Sequence, residues 1–355
     1  MIPTLYEKTE TTFRSNGLGA LADCTEAIAH QVRNGENTAT IRMPIDGRHA
    51  KDIQVGRIVV MDTDHRLRRQ PYDIVQVNKD LSGWLSIQLE HVRHRLRYSV
   101  LRPFTASGIA DLFAKLDANA SAQYIEGNVF TFETDLTSTS SYTVPGYQSV
   151  LDTLGGSEGS VLDVYGGFYE WDGFTVRLLK RRGQDNGVVV RYAKNLTALD
   201  DETEDTNVVN GVFPIWTSGS TTVTAGTIVT AGDRTLYPYR RTQVVDFSGD
   251  FQSQPTATQL QNAASAWLAK RSQTPERSLS AAYVPLYQSI EYKDLANAEQ
   301  VALDDTIHLV VPEPFNVNAT ARVVETYFDN LRSRYQSVVI GTIRPTITDA
   351  IRSVK

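Results

Sequence analysis

Strict alternation of apolar and polar residues marks the clearest strand in this chain. In Trp84-Leu85-Ser86-Ile87-Gln88-Leu89-Glu90, Leu85, Ile87 and Leu89 share one face while Ser86, Gln88 and Glu90 share the other. Apolar runs at Arg57–Met61 and Tyr72–Val77 predict two strands before it. A further strand at Asn37–Met43 is stopped by Pro44 and the Asp46-Gly47 turn. The period then changes. Ile109, Leu112, Phe113 and Leu116 fall on one helical face, with Thr105 or Ser107 as the expected cap. Tyr147, Val150, Leu151 and Leu154 repeat that spacing ahead of Gly155-Gly156.

Strands return in Tyr169-Glu170-Trp171 and Phe174–Leu179, separated by Asp172-Gly173, a strong short hairpin signal. A second turn, Arg182–Gly187, leads into Val188–Tyr192, so the expectation is an antiparallel meander over 165–197. Next come an acidic run at 200–205 and a stretch rich in Ser, Thr and Gly at 217–232. Thr256 and Gln259 form a capping-box pattern ahead of a helical stripe of Leu260, Ala263, Ala264, Trp267 and Leu268. The last hundred residues echo the first. Ile58 and Ile74 have the same separation as Ile307 and Val323, each pair in two successive strands followed by an alternating third, Trp84–Glu90 or Arg334–Ile340.

These patterns predict a β-dominated α+β protein. It would have two barrel-like antiparallel β domains, an inserted α+β domain and a further helix-containing segment. The expected boundaries are 1–102 for the first barrel, completed by about 186–245, and 103–185 for the insertion. A helical linker at 246–280, a second barrel at 281–345 and a tail at 346–355 would follow.

Composition changes the picture little. The 355 residues are 41% hydrophobic and 21% charged, as in a folded protein rather than a disordered one. One cysteine, Cys24, leaves no intramolecular disulfide and no cysteine cluster for zinc. The opening residues lack a basic region and an apolar stretch, so nothing reads as a secretion signal, and no apolar run is long enough to cross a bilayer. The expectation is a chain made in a cytoplasm, without membrane insertion of its own. A net charge of −6 argues against stable nucleic-acid binding. The basic stretches His65–Arg69 and Arg93–Arg97 then read as solvated loops or as partners for acidic patches on a neighbouring subunit.

No catalytic, cofactor-binding or metal constellation stands out. Gly155-Gly156-Ser157-Glu158-Gly159 matches Gly-x-Ser-x-Gly, but a nucleophile elbow must follow a strand and open a helix, whereas this one follows a helical pattern. His91 and His94 are three apart among Arg93, Arg95 and Arg97, which would repel a metal cation; no His-Glu-x-x-His occurs. The acids Asp200, Asp201, Glu202, Glu204 and Asp205 lack the glycine and ligand spacing of a calcium loop. A solvated or channel-facing loop is the expectation there.

Several segments, in order, resemble the N-terminal hub module of siphophage and prophage tail-tip proteins, also called tail-associated or prophage endopeptidase tail proteins. They begin with Ile2-Pro3-Thr4-Leu5-Tyr6, then Phe13–Cys24 with its Asn16-Gly17-Leu18-Gly19 turn. Met43–Gly47, Ile53–Gly56 and Gln70-Pro71-Tyr72 follow. Arg182-Gly183 with Gly187–Leu196 is the most specific segment; Tyr237-Pro238, Asp246-Phe247-Ser248, Asp304-Asp305-Thr306 and Arg334–Ser337 complete the series.

The resemblance implies a homotrimeric ring closing the distal end of the tail tube, similar in fold to the baseplate central hub of contractile phages. Such a ring adapts a sixfold tube to a threefold tip and opens for DNA ejection. Implied partners are the distal tail protein ring, the tail tube, the tape measure protein, and receptor-binding proteins or fibres. The implied location is the virion tail tip, assembled in the host cytoplasm. Gly17, Gly19 and Gly187 are expected to fix turns, and Arg191, Tyr192, Lys194 and Asn195 to form a structurally important strand end. Two alternatives stay open: a tail-associated cell-wall hydrolase, and a host-saccharide receptor module using Tyr165, Phe168, Tyr169 and Trp171.

Overall fold

Seven strands come from the first ninety-one residues: β1 (Thr4–Tyr6), β2 (Gly19–Ala20), β3 (Glu26–Val32), β4 (Asn37–Pro44), β5 (Ile58–Met61), β6 (Gln70–Lys79) and β7 (Trp84–His91). Leu85, Ile87 and Leu89 are buried along β7, as their alternation predicts. β5 departs from alternation. All four of its residues are buried, so the sheet is covered on both faces there, as in a barrel and unlike an open sheet with one wet face. The computed structural model describes residues 1–117, 121–155, 159–191, 196–231, 237–251, 253–271, 273, 275–283, 301–312 and 317–341. Contacts divide the chain into two units, Met1–Asp200 with Ser280–Lys355, and Asp201–Leu279. No helix among the described residues is long and apolar enough to cross a membrane.

Residues 100–179 hold β8 (Val100–Leu101), β9 (Phe104–Ala106), α1 (Ile109–Leu116), β10 (Thr131–Thr134), β11 (Tyr142–Val144), β12 (Gln148–Ser149), α2 (Val150–Leu154), α3 (Val161–Tyr165), β13 (Phe168–Asp172) and β14 (Thr175–Leu179). Ile109, Leu112, Phe113 and Leu116 bury one face of α1 against Phe132, Trp171 and Val176 in a separate apolar core. Neither Thr105 nor Ser107 caps α1. Gly108 is the cap, and Asp111 instead accepts hydrogen bonds from the backbone and hydroxyl of Ser107. Tyr147 lies outside α2 and is exposed, because Ser149 caps the helix two residues later.

The β13–β14 hairpin forms where expected, but its turn is centred on Gly173-Phe174, with Asp172 paired to Thr175. Only Gly173 needs a positive φ. The third strand, β15 (Asp185–Arg191), leaves the meander. β14 already has β13 on one edge and β10, in parallel, on the other, so β15 pairs in parallel with residues 306–310.

After β16 (Leu196–Glu204), the second unit is built on β17 (Gly211–Ser218). It pairs with β18 (Thr221–Thr224) and β19 (Val229–Thr230) antiparallel, and with β20 (Thr242–Asp246) in parallel. The capping box of Thr256 and Gln259 opens α4 (Ala257–Ala269). Leu260, Ala264 and Leu268 of α4 bury against Val212, Trp216 and Phe247. Within this unit β17 to β20 pair with one another. The apolar stripe of α4 and one face of β17 cover each other.

The last strands are β21 (Glu276–Tyr283), β22 (Thr306–Val311), β23 (Val317–Asp329) and β24 (Arg334–Gly341). β23 is the splice. Its first half pairs with β22 and its second half with β3, while β24 takes the other edge, so the first and last blocks share one continuous sheet. The internal echo appears in this topology, since β5-β6-β7 and β22-β23-β24 are both antiparallel meanders. It also appears in a bulge. Gly56 and Asp304, both with positive φ, donate to the carbonyls of Ile74 and Val323, whose own N–H groups return to Arg57 and Asp305. This match aligns Ile58 with Thr306, one residue off the spacing seen in the sequence.

Candidate functional site

The densest polar chemistry lies at the start of β22, where Asp304 and Asp305 are both almost fully buried. Asp304 takes the left-handed backbone of the bulge, which an Asp tolerates better than most residues. Its carboxylate accepts from Arg33 Nε at the end of β3 and meets Arg182 Nη1 at 3.5 Å. Arg182 is itself buried. It donates to the Tyr169 carbonyl at 3.2 Å and lies 3.7 Å from Glu170. Burial pushes the Asp304 carboxyl above its ordinary range, against the pull of Arg182 and Arg33.

Asp305 uses both oxygens twice. Arg66 grips it in a bidentate pair at 2.7 Å on each oxygen, and the backbone N–H groups of Gln184 and Ala302 donate at 2.6 and 2.8 Å. The N–H of Thr306 donates to the Gln184 carbonyl at 2.9 Å. Arg182-Gly183-Gln184 is thus strapped to Asp304-Asp305-Thr306. A Cβ on Gly183 would lie 2.1 Å from the Asp304 carbonyl oxygen. The strap joins the end of β3, the 62–69 loop, the turn after β14 and the β22–β23 hairpin. It holds four segments in register; it presents no nucleophile or metal ligand set.

Gly17 lies in a turn and Gly19 opens β2, both at positive φ, and a side chain there would collide with Leu5 and Tyr6 or with His49. Gly19 also lines a cleft of about 700 Å³ with Tyr6, Phe13, Arg14 and Arg69. Gly187 has positive φ in open space, and Arg191 ends β15 with an exposed side chain. Tyr192, Lys194 and Asn195 lie outside the described residues. Asp200, Asp201, Glu202 and Glu204 belong to strand β16 rather than a loop, and Asp205 pairs with Arg241 at 3.0 Å.

The basic stretches are partly exposed, and several of their arginines are tied down within the chain. Arg66 is held by Asp305, and Arg95 grips Asp73 at 2.6–2.7 Å. Arg93 is buried 4.8 Å from the centre of the Trp171 ring and donates to the Gly35 carbonyl. Acids and carbonyls of the same chain supply the partners. Tyr169 and Trp171 are core residues, and Tyr165 donates to the Ser140 carbonyl at 2.6 Å. Gly155 ends α2 and Ser160 caps α3, so helices flank the Gly-x-Ser-x-Gly segment on both sides; Gly156, Ser157 and Glu158 lie outside the described residues. Among the described residues no group of three or more His, Cys, Asp or Glu is placed to hold a metal. Arg33 was not legible as a site residue, because a lone arginine ending a strand carries no pattern.

No family model matches the chain, and no curated protein matches it in sequence. Solved structures do. Prophage tail protein gp18 from Listeria monocytogenes is 12% identical, with a TM-score of 0.59 over 99% of this chain and 97% of its own. The 43 kDa tail protein of prophage MuSo2 from Shewanella oneidensis is 9% identical, with a TM-score of 0.59 over 92% and 94%. A tail protein from Neisseria meningitidis is 10% identical, with a TM-score of 0.58 over 96% of both chains. This chain has the fold of these prophage tail proteins, as the resemblance in its sequence implies.

Proposed function

We propose that the chain is a structural, non-enzymatic subunit of a phage or prophage tail: a hub that forms a homotrimeric ring at the distal end of the tail tube. The observation that carries this reading is the end-to-end likeness to prophage tail proteins, which covers 99% of the chain in one case. Two barrel-like halves per subunit, one in each strand block, would give three copies six similar units around an axis. That count suits a sixfold tube and distal tail protein ring on one side and a threefold tip on the other. Receptor engagement loosens the ring and opens the path for tape measure protein and DNA. The acids at 200–205 then face the channel, where negative charge keeps DNA phosphates from adhering. Antibody against the chain, imaged on intact particles in negative stain, is expected to label the distal tail tip. Label along the tube, at the head or absent from the particle would contradict this.

A further inference from the structure

One end of the main sheet has a polar inner layer where the next layer is apolar. Thr326 in β23 lies opposite Gln31 in β3, and Gln31 lies opposite Asn37 in β4. One step beyond the Thr38–Glu90 pair, the row continues to His91 in β7, which faces Tyr72 in β6. Directly opposite residues project from the same face, and all five are at most 1% exposed. Two residues along each strand, the row reads Phe328, Ala29, Ala39, Leu89 and Ile74, all apolar and buried.

Part of the polar layer satisfies itself. The Tyr72 hydroxyl lies 2.9 Å from Asn37 Oδ1 and 2.7 Å from Thr63 Oγ1, and His91 Nε2 lies 3.3 Å from Gln70 Oε1. The rest does not. Both amide atoms of Gln31, the Asn37 amide nitrogen and the Thr326 hydroxyl find no partner among protein groups. Neither does Asp64 Oδ2, beside Thr63. Buried amides and hydroxyls are rarely left unsatisfied, and internal water is the usual partner where the protein supplies none.

We propose that this layer is a hydration site, with buried water bridging Gln31, Thr326 and Asn37. The chemistry selects water over an ion. The unpartnered atom of Asn37 is its N–H₂ donor, since its oxygen already accepts from Tyr72, and a donor disfavours a cation. The Gln31 carbonyl and the Asp64 carboxylate disfavour an anion. Water both donates and accepts, as this mixed set requires. The bridge ties β23, the strand shared by both blocks, to β3 and β4.

A crystal structure of the intact chain at about 1.5 Å resolution tests this. Solvent peaks within about 3.2 Å of Gln31 and Thr326 Oγ1 are expected. A dry layer with Gln31 bonded directly to Thr326 would overturn the proposal, and so would an anomalous peak at the site after a thallium(I) soak. Thr326→Val and Gln31→Leu, measured singly and together by thermal denaturation, give a second readout. A shared water makes the double variant lose less than the sum of the singles; strictly additive shifts in midpoint would count against it. Where a variant fails to fold, the crystal result decides.

Discussion

Gly183 shows how closely the segments at Asp304 approach. Its φ is +80°, and the atom its Cβ would strike is a backbone oxygen that cannot swing aside. Gly183→Ala is expected to cost at least ~2 kcal/mol, read by chemical denaturation. Gly187→Ala is the control: it shares the positive φ but opens on empty space, so about 1 kcal/mol of backbone strain is all it incurs. Equal effects would contradict the strap. The histidines give a pH signature. Burial holds His91 well below 6.5 and His94 down to about 3, with nearby Arg93 adding to both. An unfolded chain binds these protons as pH falls through the ordinary histidine range, while the folded chain resists them. Their contribution is therefore complete above about pH 7 and shrinks on acidification, by up to about 1.4 kcal/mol per pH unit for each histidine. Denaturation midpoints between about pH 7 and 5 check this, and His94→Gln is expected to flatten the slope.

At the scale of elements, α4 is expected to lose about 1 kcal/mol when Thr256→Ala removes the capping box. Circular dichroism during thermal unfolding reads it, and an unchanged midpoint would mean that the box contributes nothing. That box, the stripe of α1 and the alternation of β7 were all legible, because each depends on residues a few positions apart. Pairing was not. The edges of β14 are filled by β13 and β10, and only this occupancy sends β15 to β22. The segments Arg182-Gly183 and Asp304-Asp305-Thr306 could each be recognised for their likeness to tail-tip proteins, yet nothing local said that they touch across 121 residues. The partner of Arg66 is hidden from the sequence for the same reason: the acid that holds it is far along the chain. At 103–117 the sequence placed the helix correctly and its cap wrongly, since Gly108 leaves the capping hydrogen bonds to Asp111 and Ser107.

At the scale of the whole molecule, the fold is that of prophage tail proteins, with two meanders that start from the same bulge and are joined in one sheet through β3 and β4. A chain built this way suits a ring that must present repeated surfaces to a symmetric tube. The ring proposed for this chain is a closed trimer. The most direct measurement is molar mass by light scattering behind gel filtration, over a concentration series, with negative-stain images of the peak. A trimer gives about 118 kDa, three times the 39.4 kDa of one chain, with threefold rings in view. A monomer at every concentration, still monomeric after mixing with the distal tail protein ring, would contradict it.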